Sequence, residues 1–198
     1  MIPFIHLDIE SLLKLIGYSG LFAIVFAESG LFFGFFLPGG SMLFTAGLLA
    51  SRGFFNIYLL MIVLAVAAIT GDSAGYWFGR KVGPKLFVRE DSRFFHKKHI
   101  EYSREFYEKY GASAIILGRF VPLARTFVPI LAGVGVMNYR KFLYYNILGG
   151  IIWSTGMSLL GFFLGRTFPS IQNYLTPIVI LIVILSLVPI LFKMLKRV

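Results

Sequence analysis

Cysteine is absent from this 198-residue chain, which excludes disulfides and thiolate-held metal sites. Charge is scarce, at 14% of residues, where ordinary globular chains carry about a quarter. Histidine is scarce too: there are three, and none lies in the long apolar stretches. The N-terminus, MIPFIHLDIESLLK, lacks both a basic n-region and a small-residue cleavage motif, so it is expected to be retained. What is abundant is apolar surface: 58% hydrophobic residues, 22 of them Phe, and a mean hydropathy of +0.81. Lipid is the natural solvent for such a chain. Helices are the element that satisfies every backbone group within lipid, so the composition predicts an all-α integral membrane protein, folded as one domain over 1–198.

Two apolar stretches are interrupted where a span should be continuous. Residues 21–50 carry Glu28 and a break at Pro38, Gly39 and Gly40; residues 112–137 carry Arg119, Pro122, Arg125 and Pro129. Roughly 20 helical residues cross a bilayer once, so stretches of this length read best as re-entrant helical hairpins. Backbone freed by Pro and Gly at membrane depth is tolerated where protein or a watery cavity satisfies it, which makes such breaks candidate binding sites. Two continuous spans are expected over 54–79 and 141–164, and a third apolar run over 174–192 reads as a C-terminal transmembrane helix. Glycines four apart at Gly71, Gly75, Gly79 and Gly83, and at Gly161 and Gly165, mark faces where backbones can pack closely inside the chain.

The net charge of +10 is local. Nine of the 19 basic residues lie between Arg80 and Lys109, and Lys193, Lys196 and Arg197 end the chain. Both segments are expected on the cytoplasmic side, where basic clusters attract anionic lipid headgroups by about 1 kcal/mol per charge. Interleaved acids such as Glu90, Glu101 and Glu105 argue against nucleic acid as the partner. A surface amphipathic helix is expected over 91–110, with Phe95, His99, Tyr102, Phe106 and Tyr110 on one face. His96 and His99 could pair on a metal, yet no third ligand is near in sequence, so no metal site is assigned.

An internal repeat orders these pieces. At an offset of 91, Gly20 falls on Gly111, Glu28 on Arg119 and Pro38 on Pro129. At 86, Gly47 falls on Gly133, Gly75 on Gly161 and Gly79 on Gly165. Each unit, about 16–83 and about 111–168, is a broken hairpin followed by a span. With the basic segment inside, the first hairpin dips from outside and the second from inside, giving two inverted repeats and a cytoplasmic C-terminus.

Arg119 and Arg125 each cost about 2.5–3.5 kcal/mol at membrane depth, and compensation must come from a cavity, an acid or an anionic ligand. Guanidinium forks suit phosphate oxygens, so a phosphate headgroup is the expected ligand, provided the break lets the two arginines converge. Glu28 and Asp72 are the acids of the apolar segments. Each is a candidate for gating by arginine pairing or for proton relay, and Asp72 is also placed for a structural pair with Arg80 or Arg119. The repeat sets Glu28 opposite Arg119.

The segments GRFVPLARTFVPILAG (118–133), ESGLFFGFFLPGGSMLFTAG (28–47) and GDSAGYWFGRKVG (71–83) resemble the DedA family of bacterial membrane proteins, which is related to eukaryotic VTT-domain lipid scramblases. The resemblance implies paired re-entrant hairpins and translocation of lipid across the cell membrane, with Glu28, Arg119 and Arg125 in functional positions and no cofactor. Many members carry an acid after the Pro-Gly of the first hairpin, where this chain has Gly40. The expectation is a flippase for a phosphate-headgroup lipid, undecaprenyl phosphate above all. Phosphatidylethanolamine or general phospholipid translocation is the alternative, and a lipid phosphatase or an assembly factor less so, since no His lies in a hairpin to serve phosphoryl chemistry.

Overall fold

The computed structural model describes residues 9–30, 39–87 and 112–167. Pro38, the expected helix over 91–110 with His96 and His99, and the expected span over 174–192 lie outside the described residues. Within them every element is helical: α1 (Ile9–Gly30), α2 (Gly39–Ser51), α3 (Ile57–Phe87), α4 (Ser113–Gly118), α5 (Pro122–Val134) and α6 (Tyr139–Thr167).

α3 and α6 are the two helices long and apolar enough to cross a membrane, over Ile57–Gly83 and Tyr139–Thr167. Both differ from the expected 54–79 and 141–164, and at their starts the cause is a cap. Asn56 Oδ1 accepts from the backbone N–H groups of Tyr58 and Leu59, and Asn138 Oδ1 from those of Arg140 and Lys141, which fixes where each helix starts. Beyond Gly79, α3 continues through Phe87, the last described residue of this segment. α1 also begins earlier than the expected 16, and it bends at Gly17, whose φ of 58° is left-handed.

α2 and α5 have 13 residues each. That is about 20 Å of helix against a hydrocarbon core of about 30 Å. The break before α5 has a local cause. Val121 precedes Pro122 and is held extended (φ −111°, ψ 116°), because the proline ring crowds a helical conformation there; Pro122 then starts the new helix, where its missing N–H costs nothing.

Glycine sets the packing. A Cβ on Gly47 would strike the Ser158 backbone, and one on Gly161 the Phe44 carbonyl, so α2 lies directly on α6. A Cβ on Gly133 would strike the Tyr76 carbonyl, and one on Gly79 the Ile130 carbonyl, so α5 lies directly on α3. The glycine spacing therefore serves packing within the chain. The same crossing occurs twice, but with a different register from the sequence offset. Gly79 takes the place of Gly161, 82 positions away, and does not correspond to Gly165, because α2 runs about one turn further past its crossing than α5 does.

Neighbouring contacts give the helix directions. Gly75, Gly79 and Gly83 of α3 meet Pro129, Ile130 and Val134 in rising order, so α3 and α5 are parallel; Met157, Gly161 and Gly165 of α6 meet Gly40, Phe44 and Ser51 in rising order, so α2 and α6 are parallel too. Tyr76 stacks on Phe142 while Ile69 lies by Gly150, so α3 and α6 are antiparallel. It follows that α2 and α5 point in opposite directions. The main apolar core, including Leu21, Val25, Leu43, Leu64, Ala68 and Trp153, joins α1, α2, α3 and α6.

Candidate functional site

Four charged side chains are buried in this apolar core: Glu28, Asp72, Arg119 and, nearly so, Arg125. Unpaired, each would be expelled or would destabilise the fold by several kcal/mol, and the structure pairs all four. Asp72, on α3, accepts from Arg119 Nη2 at 2.5 Å. The same nitrogen donates to Asn146 Oδ1 on α6, and Asn146 Nδ2 donates back to α3, to the Ile69 carbonyl at 2.9 Å and Ser73 Oγ at 3.3 Å. Arg119 reaches this place because it stands in the turn between α4 and α5, and because Gly149 leaves room for its stem: a Cβ there would lie 3.1 Å from Arg119 Cδ.

The second pair is Glu28 with Arg125. Glu28 lies near the end of α1, fully buried, and its Oε1 accepts from Arg125 Nη2 and from the backbone N–H of Gly39 at 2.8 Å. Gly39 is the first residue of α2, and a Cβ at that position would coincide with the Glu28 carboxylate. Arg125 stands one turn into α5, with its guanidinium 5.1 Å over the Trp153 ring. The N-terminus of α2, through the Gly39 N–H, and the oppositely directed α5, through the Arg125 side chain, thus meet at one carboxylate. Helix N-termini carry unsatisfied N–H groups and the positive end of the dipole, so this is a place built for an anion, and Glu28 occupies it.

Several buried polar atoms have no partner: Nε of both arginines, Glu28 Oε2, Thr126 Oγ and Ser158 Oγ. Each guanidinium is therefore held by an acid through one nitrogen while another edge is left open. Pro129, inside α5, has no N–H to offer the Arg125 carbonyl one turn back.

Against the expectations from sequence, the structure joins Glu28, Gly39 and Arg125 and, separately, Asp72 and Arg119. It does not set Glu28 opposite Arg119: the repeat offset of 91 put them across from each other, but the turn at Val121 delivers Arg125 to Glu28 and leaves Arg119 to α3. Nor do the arginines form one clamp; they lie along one face of α6, Arg119 by Asn146, Gly149 and Gly150, Arg125 a turn on at Trp153. Gly40 sits under Met157, Pro122 opens α5, and Pro129 packs toward Gly75. Asn146, Thr126 and Trp153 join the site without having been expected there. Asn146 had a usable signal, a lone amide in an apolar span, whereas Thr126 and Trp153 had none. Among the described residues no cluster of His, Cys, Asp and Glu could hold a metal ion.

Comparison with known proteins gives a consistent result. The family profile of the VTT domain matches residues 37–163. The protein DedA of Escherichia coli K12 is 41% identical over 174 residues, covering 87% of this chain and 79% of its own length. An uncharacterized membrane protein of Mycobacterium tuberculosis H37Rv is 47% identical over 172 residues, 86% of this chain and 75% of its own length. The inner membrane protein YqjA of Escherichia coli K12 is 33% identical over 150 residues, 76% and 68% of the two chains. No solved structure matches.

Proposed function

The chain belongs to the DedA family of VTT-domain membrane proteins, and from that premise we propose that it is a lipid translocase for phosphate headgroups. In this reading α1 with α2, and α4 with α5, are re-entrant hairpins, each followed by a span, and the two units are inverted repeats in the bacterial cytoplasmic membrane with the C-terminus inside. The length of α2 and α5, too short to cross the hydrocarbon core, and their opposite directions support it. The observation that carries it is the Glu28 carboxylate, which sits where a phosphate oxygen would sit: at the start of α2, against Arg125, with further guanidinium edges open.

Exchange follows from that arrangement. An arriving phosphate competes with Glu28 for Arg125 and the Gly39 N–H, and protonation of Glu28 would ease the exchange. Asp72 bears the same relation to Arg119. A phosphomonoester, with up to two charges, competes with the Glu28 carboxylate for Arg125 and the Gly39 N–H better than the single charge of a zwitterion's phosphodiester does, which favours undecaprenyl phosphate. One observation favours phosphatidylethanolamine as the second reading: once displaced, Glu28 could hold an amine while Arg125 holds the phosphate.

The test is headgroup transfer in protein-containing liposomes, with a polyprenyl phosphate and phosphatidylethanolamine assayed separately. Faster transfer of the phosphomonoester, lost in Arg125→Ala, supports the proposal. Transfer of phosphatidylethanolamine alone selects the second reading. No transfer of either, or release of inorganic phosphate, refutes translocation in favour of an assembly role or hydrolysis.

A further inference from the structure

Eight residues beyond Asp72, about 12 Å along α3, a second polar group stands apart from the buried pairs. Tyr76, Trp77 and Tyr139 pack ring against ring, with Trp77 and Tyr139 centroids 5.1 Å apart. Tyr76 is wholly buried and donates its hydroxyl to the Met137 carbonyl, which fixes it as an acceptor for Arg80 Nη1 at 2.8 Å. The Arg80 guanidinium also lies 5.8 Å from the Trp77 ring centroid. Arg80 is thus aimed by a hydrogen bond that uses one of its five N–H donors and by a ring that uses none. Trp77 and Phe78 are half exposed on the outer face, and Lys81, Arg140 and Lys141 are exposed beside them.

No acid balances this charge among the described residues. The two carboxylates whose side chains are described, Glu28 and Asp72, are both buried in pairs of their own. The pattern is a fixed guanidinium, flanking cations and an amphipathic ring pair at the end of two membrane-spanning helices. Trp and Tyr settle at headgroup level, and a cation there meets lipid phosphate.

We propose that Trp77, Arg80, Tyr139, Arg140 and Lys141 form a binding site for the headgroup of an anionic phospholipid on the lipid-facing surface, separate from the Glu28–Arg125 site. Arg80 takes the phosphate and sets the preference for a headgroup with no cation of its own, the Trp77 and Tyr139 rings hold the glycerol and upper acyl region, and Arg140 and Lys141 draw anionic headgroups to Arg80. The site does not depend on what the central site moves.

The two tryptophans make it testable. Trp153 is buried, so Trp153→Phe leaves Trp77 as the reporter. The full chain is placed in phosphatidylcholine vesicles containing an equal mole fraction of either dibromo-phosphatidylglycerol or dibromo-phosphatidylcholine, and quenching is measured. The expected result is an apparent preference for phosphatidylglycerol of roughly fivefold, as one lipid-facing cation provides, lost in Arg80→Gln. Equal quenching by the two lipids in the parent would reduce the cluster to an ordinary aromatic belt and overturn the proposal, as would a preference that survives Arg80→Gln. If Arg80→Gln fails to fold, the exposed pair Arg140→Gln, Lys141→Gln decides: an unchanged preference overturns the proposal, and a reduced one sustains it.

Discussion

Replacing Glu28 by Gln tests whether this carboxylate holds the place of a ligand or only caps α2. The amide keeps the shape and can still accept the Gly39 N–H, so the main loss is the charge opposite Arg125. Removing one member of a buried ion pair costs about 3–5 kcal/mol; with the amide still accepting hydrogen bonds, about 3 kcal/mol is a fair figure. If Glu28 competes with the headgroup, the same interaction no longer has to be broken on binding. The variant should then bind a phosphomonoester lipid more tightly by up to about two orders of magnitude, the affinity equivalent of that energy. Thermal unfolding in detergent should show a less stable empty protein and a larger rise on adding lipid than the parent shows. Titration with a short-chain polyprenyl phosphate gives the affinity directly. A destabilised variant whose affinity is equal to or weaker than the parent's would refute the competition and leave Glu28 as a cap.

Gly39→Ala puts a methyl where the Glu28 carboxylate lies, so it should break the same pair from the other side and, unlike Glu28→Gln, reduce lipid affinity as well as stability; titration of both variants in parallel checks this. Asn146→Leu removes an acceptor of Arg119 and two bonds to α3, and should cost about 2–4 kcal/mol in denaturant unfolding, with little loss if the amide is idle. Val136→Gly should stabilise the protein by about 1 kcal/mol, because Val136 is β-branched at a φ of 54°, and unfolding midpoints would show it. Since the chain has no cysteine, single-cysteine reporters are clean: Arg52→Cys should react with an impermeant thiol reagent outside intact cells and Arg140→Cys should not. The opposite pattern would invert the proposed orientation.

The membrane class and the broken segments were legible because they are written in one dimension: long apolar runs, and Pro or Gly where runs should continue. The two span helices were legible for the same reason, apart from their ends. Those ends are set by Asn56 and Asn138, single side chains that a hydropathy pattern does not register. The pairing of charges was not legible. Offset arithmetic assumes equal spacing in both units, but α2 and α5 differ by about a turn beyond their crossings, and Val121 and Pro122 redirect the chain between the two arginines. Asn146 could be noticed as a lone amide in an apolar span, but its partner could not be read, since the contact exists only because Gly149 lets Arg119 lie against α6.

The repeated turn after each half-helix shows how the two units, though alike, are not equivalent. After α2, the N–H groups of Gly53 and Phe54 return to the carbonyls of Ala50 and Leu49; after α5, those of Val136 and Met137 return to Gly133 and Ala132. The left-handed position of the first turn is Gly53, which takes φ of 79° freely, and that of the second is Val136, which does not. The second turn is held in place by Met137 and Asn138: the Met137 carbonyl accepts from Tyr76, and Asn138 caps α6. Strain at Val136 therefore opposes the contact that joins α5 to α3. On the proposed reading the arginines belong to the second unit and the acids to the first, so moving the α4–α5 hairpin away from α1 and α3 would part both ion pairs together. Relief of strain at Val136 would lower the cost of that step, and a glycine there has no strain to release, which is why Val136→Gly should stabilise the closed protein while slowing lipid transfer.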